Sequence, residues 1–124
     1  MLRLLRFVFW AAAVVAFVLA VIPHPPQVPV WDKLQHMAGF FVIALLGCAA
    51  YPRASRLKLM VALIAFGGLI EIVQAIPALH RDSDWHDWLA DIVATVVALA
   101  CVMAAQRIGV RHARSEAFRR PPQP

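Results

Sequence analysis

Prolines divide an otherwise apolar chain into four pieces, each about as long as a helix must be to cross a bilayer. Pro23, Pro25 and Pro26 close the first piece, Pro52 the second and Pro77 the third, and the next proline is Pro121. Proline removes a backbone donor and clashes with the preceding turn, so it ends helices. A hydrocarbon core of about 30 Å takes roughly 20 helical residues to span. Residues 4–22, 34–51, 57–76 and 87–106 meet that length. The expected fold is therefore all-α: one transmembrane domain over residues 1–124, built of four antiparallel transmembrane helices. Short connections make successive helices antiparallel neighbours. Residues 107–124 read as a basic cytoplasmic tail, partly disordered and held near anionic headgroups.

Apolar residues make up 62% of the 124-residue chain, against roughly 45–50% in soluble domains. A chain this short leaves much of its surface uncovered, so lipids are the expected partner. The net charge of +5 does not point to nucleic acid, because the basic residues flank apolar segments and form no patch interleaved with aromatics. Cys48 and Cys101 stand alone in apolar runs, where cysteine acts as a small hydrophobe. An alternative for the start is a cleaved signal peptide, with a basic stretch at residues 1–6 and a small-residue site at Val18, Leu19 and Ala20. The unbroken apolar run over residues 7–22 favours retention as a helix.

Basic residues orient the helices. Arg3, Arg6, Arg53, Arg56, Lys58, Arg107, Arg111, Arg114, Arg119 and Arg120 fall at one set of ends, and only Lys33 and Arg81 at the other. Both termini are thus expected in the cytoplasm, with the chain in the cell's inner (plasma) membrane. Acidic residues run the other way: Asp32, Glu71, Asp82, Asp84, Asp87 and Asp91 lie at the outer ends, with His24, His36, His80 and His86. Carboxylates contribute little to topology, so sorting by charge leaves this acidic excess unexplained.

These groups recur at helical spacing. Asp32 and His36 are i, i+4 with Lys33 between them, Glu71 and Gln74 are i, i+3, and Asp84, Asp87 and Asp91 form one stripe at i, i+3, i+7. Glu71 precedes the break at Pro77 by about 9 Å of helix at 1.5 Å per residue. A lipid-facing Asp at mid-helix would cost about 2.5–3.5 kcal/mol. The groups are therefore expected to face inward into one outward-opening polar pocket, with the Gln74 amide and the charges of Lys33, Arg81 and His36 offsetting the desolvation.

A polar network that merely fixes helix packing is the bland reading, but the ionisable groups exceed what packing needs. The functional reading is a ligand pocket of Asp32, Lys33, His36, Glu71, Gln74, Arg81, Asp84, Asp87 and Asp91 for a polar headgroup or an ion. The alternative is a membrane hydrolase or transferase with His36, Glu71 and Asp87 as catalytic candidates, metal-assisted if His36, Glu71, Asp87 and Asp91 hold a cation. No dense ligand motif such as H-E-x-x-H supports a metal, and no cofactor is expected. Ser83 lacks the G-x-S-x-G context of an activated serine. An ion conduit is disfavoured by the apolar runs over residues 42–50, 59–70 and 92–105. Trp31, Trp85 and Trp88 read as belt residues at the headgroup level.

Three elements carry a resemblance: Asp32, Lys33 and His36 with Phe40; Glu71 with Gln74; and Arg81, Asp84, Asp87 and Asp91. Together they resemble the VanZ-like family of small bacterial membrane proteins, whose pattern is D-K-x-x-H-x-x-x-F, then E-x-x-Q, then R-x-x-D-x-x-D. The match covers about residues 31–95. Many relatives carry Asn at the position of Asp91, and a Gly soon after it where Ala94 and Thr95 stand here. The resemblance implies a cell-envelope membrane protein, with a glycopeptide-type ligand among the possibilities, since the family's namesake is associated with low-level teicoplanin resistance.

Overall fold

The computed structural model describes residues 1–23, 32–80 and 83–119. Among them the chain is all-helical, with α1 at Leu2–Val21, α2 at Asp32–Ala50, α3 at Arg56–Gln74 and α4 at Trp85–Arg119. All four are long and apolar enough to cross a membrane.

The helices stop where their sequence stops them. Ile22 leaves α1 in an extended conformation before Pro23. Tyr51 N still donates to Gly47 O, and Pro52 then bars another turn of α2. After α3, Ala75 N donates to Glu71 O, and Pro77 opens a short 3-10 turn at Pro77–Leu79. That turn closes on His80 in the left-handed region, at φ 49°. α4 has no such stop. It continues past the apolar span into the basic stretch read above as a partly disordered tail, reaching Arg119. Alanines, arginines and a glutamate favour helix there, and no proline intervenes before Pro121.

The tightest pairing is between α2 and α4, which are not successive in the chain, whereas α2 and α3 touch much less. Small side chains allow it: Ala44 on α2 and Ala94, Thr95 and Ala98 on α4 are all buried, and small residues let helix backbones approach closely. Two apolar clusters fill the interior. One joins Phe9, Ile43, Ala44, Cys48, Leu59, Leu63, Ala98 and Leu99. The other joins Ala20, Phe40, Ile70 and Ala94, with Phe17, Met37 and Phe66 packed against them. Phe66 sits between Phe40 (ring centroids 5.8 Å) and Phe17 (6.4 Å).

At the end of the bundle bearing Arg6, the start of α1 is fastened to the end of α2. Arg6 Nε donates to Ala50 O at 3.4 Å, its guanidinium lies 5.2 Å from the Tyr51 ring centre, and Trp10 Nε1 donates to the Tyr51 hydroxyl at 2.9 Å. A cation on the last carbonyls of a helix complements its dipole. Outside these contacts the surface is apolar: Leu4, Phe7, Trp10, Val61, Ile72 and Val110 are all more than half exposed. A continuous apolar exterior of this kind is not a surface that water covers cheaply.

Candidate functional site

Polar side chains of α2, α3 and α4 meet at one end of the bundle. On α2, Lys33, His36 and Phe40 follow one another at i, i+3, i+7. On α3, Gly67, Glu71 and Gln74 share a face, and on α4 the stripe of Asp87 and Asp91 continues to Thr95. Asp84 is the residue before α4 and caps it. Its Oδ1 accepts the backbone N–H of His86 at 3.0 Å and contacts His86 Nδ1 at 2.6 Å, the bond by which an N-cap carboxylate satisfies a first-turn donor.

Lys33 ties α2 to this helix start. Its ammonium donates to Asp84 Oδ2 at 2.8 Å and to Asp87 Oδ1 at 3.0 Å. Deeper in, His36 Nδ1 lies 3.5 Å from Asp91 Oδ1, an ion-pair distance beyond a good hydrogen bond. Glu71 Oε2 accepts from Ser83 Oγ at 3.0 Å, and Glu71 O lies 3.2 Å from the same hydroxyl.

Exposure falls steadily inward. The Lys33 and Asp84 side chains are 44% and 39% exposed, while those of Asp87 and His36 are at 10% and that of Asp91 at 1%. The mouth is wet and the base is dry. At the base, Glu71 Oε1, both carboxyl oxygens of Asp91 and the Thr95 hydroxyl are buried without a hydrogen-bond partner among the described residues. Phe40 and Ile70 lie beneath, fully buried.

Trp88 packs beside this polar cluster. Its indole Nε1 donates to Ile64 O at 2.9 Å, which draws the ring across α3 at Gly67 and Gly68. A Cβ on Gly67 would stand 3.1 Å from both Asp91 Oδ2 and Trp88 Cδ1, and 3.3 Å from Phe40 Cζ. Trp88 is thus a packing residue between α3 and α4 and more than a belt aromatic.

Charge is unbalanced here. Glu71, Asp84, Asp87 and Asp91 face one lysine, with His36 and His86 as the remaining basic groups among the described residues. The Lys33 ammonium, then the His86 backbone N–H and imidazole, hold the Asp84 carboxyl well below the usual carboxylate range.

Of the residues singled out from sequence, Lys33, His36, Glu71, Asp84, Asp87 and Asp91 are brought together. Gln74 is near them but committed elsewhere: buried, it donates to Ala20 O on α1 at 2.9 Å, so its amide does not serve the carboxylates. Arg81 and the side chain of Asp32 lie outside the described residues, as do Trp31, His24 and Asp82. Sequence reasoning missed Thr95, Gly67 and the Ser83 contact to Glu71. Thr95 was there to be found, four residues beyond Asp91 on the same stripe; nothing in the sequence marked Ser83.

The His36, Glu71, Asp87 and Asp91 carboxylates and imidazole do not form a metal cage: no three His, Cys, Asp or Glu groups among the described residues converge as a ligand set. A separate groove of about 380 Å³ runs along α4, lined by Met103, Gln106, Arg107, Val110 and Arg111. It lies about 12 Å or more along the helix from Thr95 and belongs to one helix surface, so it has no part in the polar cluster. No protein-family model matches the chain, and neither a curated protein nor a solved structure is significantly similar to it.

Proposed function

We propose that this is an inner-membrane protein of four antiparallel transmembrane helices, termini in the cytoplasm, whose outer recess binds the polar headgroup of an envelope lipid or lipid-linked component. The distribution of basic residues supports the orientation. Two contacts support the antiparallel arrangement: the start of α1 meets the end of α2 through Arg6 and Ala50, and the starts of α2 and α4 meet through Lys33 and Asp87. The Lys33–His36, Glu71–Gln74 and Asp84–Asp87 elements support placing the chain beside the VanZ-like proteins, and glycopeptide-type compounds then join lipids as ligands to test.

One observation carries the binding reading. Glu71 and Asp91 are buried in the recess with three carboxyl oxygens lacking a hydrogen-bond partner among the described residues. A buried polar group left so costs about 1–3 kcal/mol, more if charged, a cost that packing alone gives no reason to keep. A ligand bringing donors removes it. The test is retention of lipid by purified protein, read by native mass spectrometry. Glu71→Gln and Asp87→Asn are expected to lose bound lipid while keeping their helical content; full retention by both variants overturns the reading.

A second reading, a membrane hydrolase or transferase, rests on the Ser83 hydroxyl lying 3.0 Å from the Glu71 carboxylate, a distance at which a base can take a hydroxyl proton. In it Glu71 is the general base, whereas Asp87 is held by Lys33 at 3.0 Å. Turnover of envelope lipids by wild type and not by Glu71→Gln would establish it, and absence of turnover with any divalent ion would exclude it.

A further inference from the structure

We infer that the recess selects a primary ammonium group, and that the Lys33 side chain is a tethered competitor occupying the ammonium position at its mouth. This rests on the headgroup-binding reading above and narrows it to one chemistry.

The first ground is charge. The described recess carries four carboxylates, Glu71, Asp84, Asp87 and Asp91, and one lysine ammonium. An anionic headgroup entering it meets like charge in a partly dry space, where repulsion is little screened. A cationic one meets complementary charge.

The second ground is independent of the count of acidic residues. Asp91 is 99% buried and Glu71 91% buried; Glu71 Oε1 and Asp91 Oδ2 have no hydrogen-bond partner among the described residues, while Asp91 Oδ1 has the His36 ring at 3.5 Å. Carboxylate oxygens are satisfied only by donors. A primary ammonium offers three N–H donors, whereas a quaternary ammonium offers none. The unpartnered oxygens therefore discriminate an ethanolamine-type head from a choline-type head of equal charge.

The third ground is what already fills the mouth. Lys33 places an ammonium between Asp84 and Asp87 at 2.8 and 3.0 Å, a working example of the geometry an incoming amine would adopt. Its side chain is 44% exposed and its stem is long and flexible. A zwitterionic lipid would then exchange partners, its ammonium taking the carboxylates and the released Lys33 meeting its phosphate.

The experiment uses the full chain in detergent, titrated with short-chain phosphatidylethanolamine, phosphatidylcholine and phosphatidylglycerol, with tryptophan fluorescence and native mass spectrometry as readouts. Free ethanolamine and phosphoethanolamine form parallel arms, which tell a lipid source of the amine from a soluble one. Phosphatidylethanolamine is expected to bind at least about tenfold more tightly than either other lipid, the worth of one charge-assisted hydrogen bond. Asp91→Asn should erase that preference. Lys33→Met, and independently Lys33→Gln, should raise the affinity for free ethanolamine about threefold or more, because the tethered rival is gone; circular dichroism confirms that each variant is folded.

Equal binding of phosphatidylglycerol and phosphatidylethanolamine overturns the ammonium selection while leaving headgroup binding in place. An unchanged or weaker ethanolamine affinity in both folded Lys33 variants overturns the competitor role. If none of the three lipids and neither soluble amine binds, the headgroup-binding reading itself fails, and this inference with it.

Discussion

Lys33, in the first turn of α2, holds Asp84, the residue that caps α4, through a 2.8 Å ion pair across 51 residues of chain. This contact joins the two helices that pack most closely. It couples the cap of one helix to the charge on another, so its protonation has a structural readout.

The Asp84 carboxyl is held below its ordinary range, first by Lys33, then by the backbone and ring of His86. A lowered folded value means that the stabilisation is present above the unfolded value of about 3.9 and is lost as pH falls through the folded one. Thermal unfolding of wild type and Asp84→Asn should therefore differ at pH 6, with wild type the more stable, and the difference should shrink below about pH 4. Lys33 is shared with Asp87, whose Oδ1 lies 3.0 Å from the ammonium. A gap of constant size between pH 6 and pH 3 would show that the ion pair contributes nothing.

Gly67 and Gly39 offer a paired test of the packing around Asp91. A Cβ on Gly67 would stand 3.1 Å from Asp91 Oδ2 and Trp88 Cδ1, whereas one on Gly39 meets nothing within 4 Å. Gly67→Ala is expected to destabilise by about 1–3 kcal/mol through overpacking. Gly39→Ala should be neutral or stabilise by about 0.5–1 kcal/mol, since alanine is the better helix residue. Equal melting temperatures for the two variants would contradict the close approach of α3 and α4.

Gln74 should act on α1 and leave the recess alone. Its buried amide donates to Ala20 O in the last turn of α1, one of the carbonyls that a helix end leaves unsatisfied. Gln74→Leu is expected to cost about 0.5–1.5 kcal/mol and to speed amide exchange around residues 18–22, with headgroup binding intact. Loss of headgroup binding with α1 exchange unchanged would reverse that assignment.

Much of this arrangement is legible in the residues themselves. Prolines 23, 52 and 77 bound helices where they were expected to, because a missing donor acts locally. The stripe of Asp84, Asp87 and Asp91 falls along one helix end for the same local reason: it depends only on 3.6-residue periodicity. What spacing cannot show is partner choice. Gln74 turns to Ala20 instead of the carboxylates, and Ser83 finds Glu71, because both depend on how helices distant in sequence are set against each other. The α2–α4 pairing is of this kind too. It follows from Ala44, Ala94 and Ala98 allowing close approach, and loop length alone pointed to chain neighbours. The length of α4 was hidden differently: its basic end looks like a tail by charge, while its alanines and missing prolines keep it helical to Arg119.

The most direct test that the polar ends of α2 and α4 share the outer face is labelling with a membrane-impermeant maleimide in intact cells. Single cysteines would be placed by Lys33→Cys, Asp84→Cys and Arg53→Cys in a chain with Cys48→Ala and Cys101→Ala. Positions 33 and 84 are expected to label from outside, and position 53 only after the membrane is opened. Labelling of 33 and 84 from opposite sides, or of 53 from outside, would contradict the account.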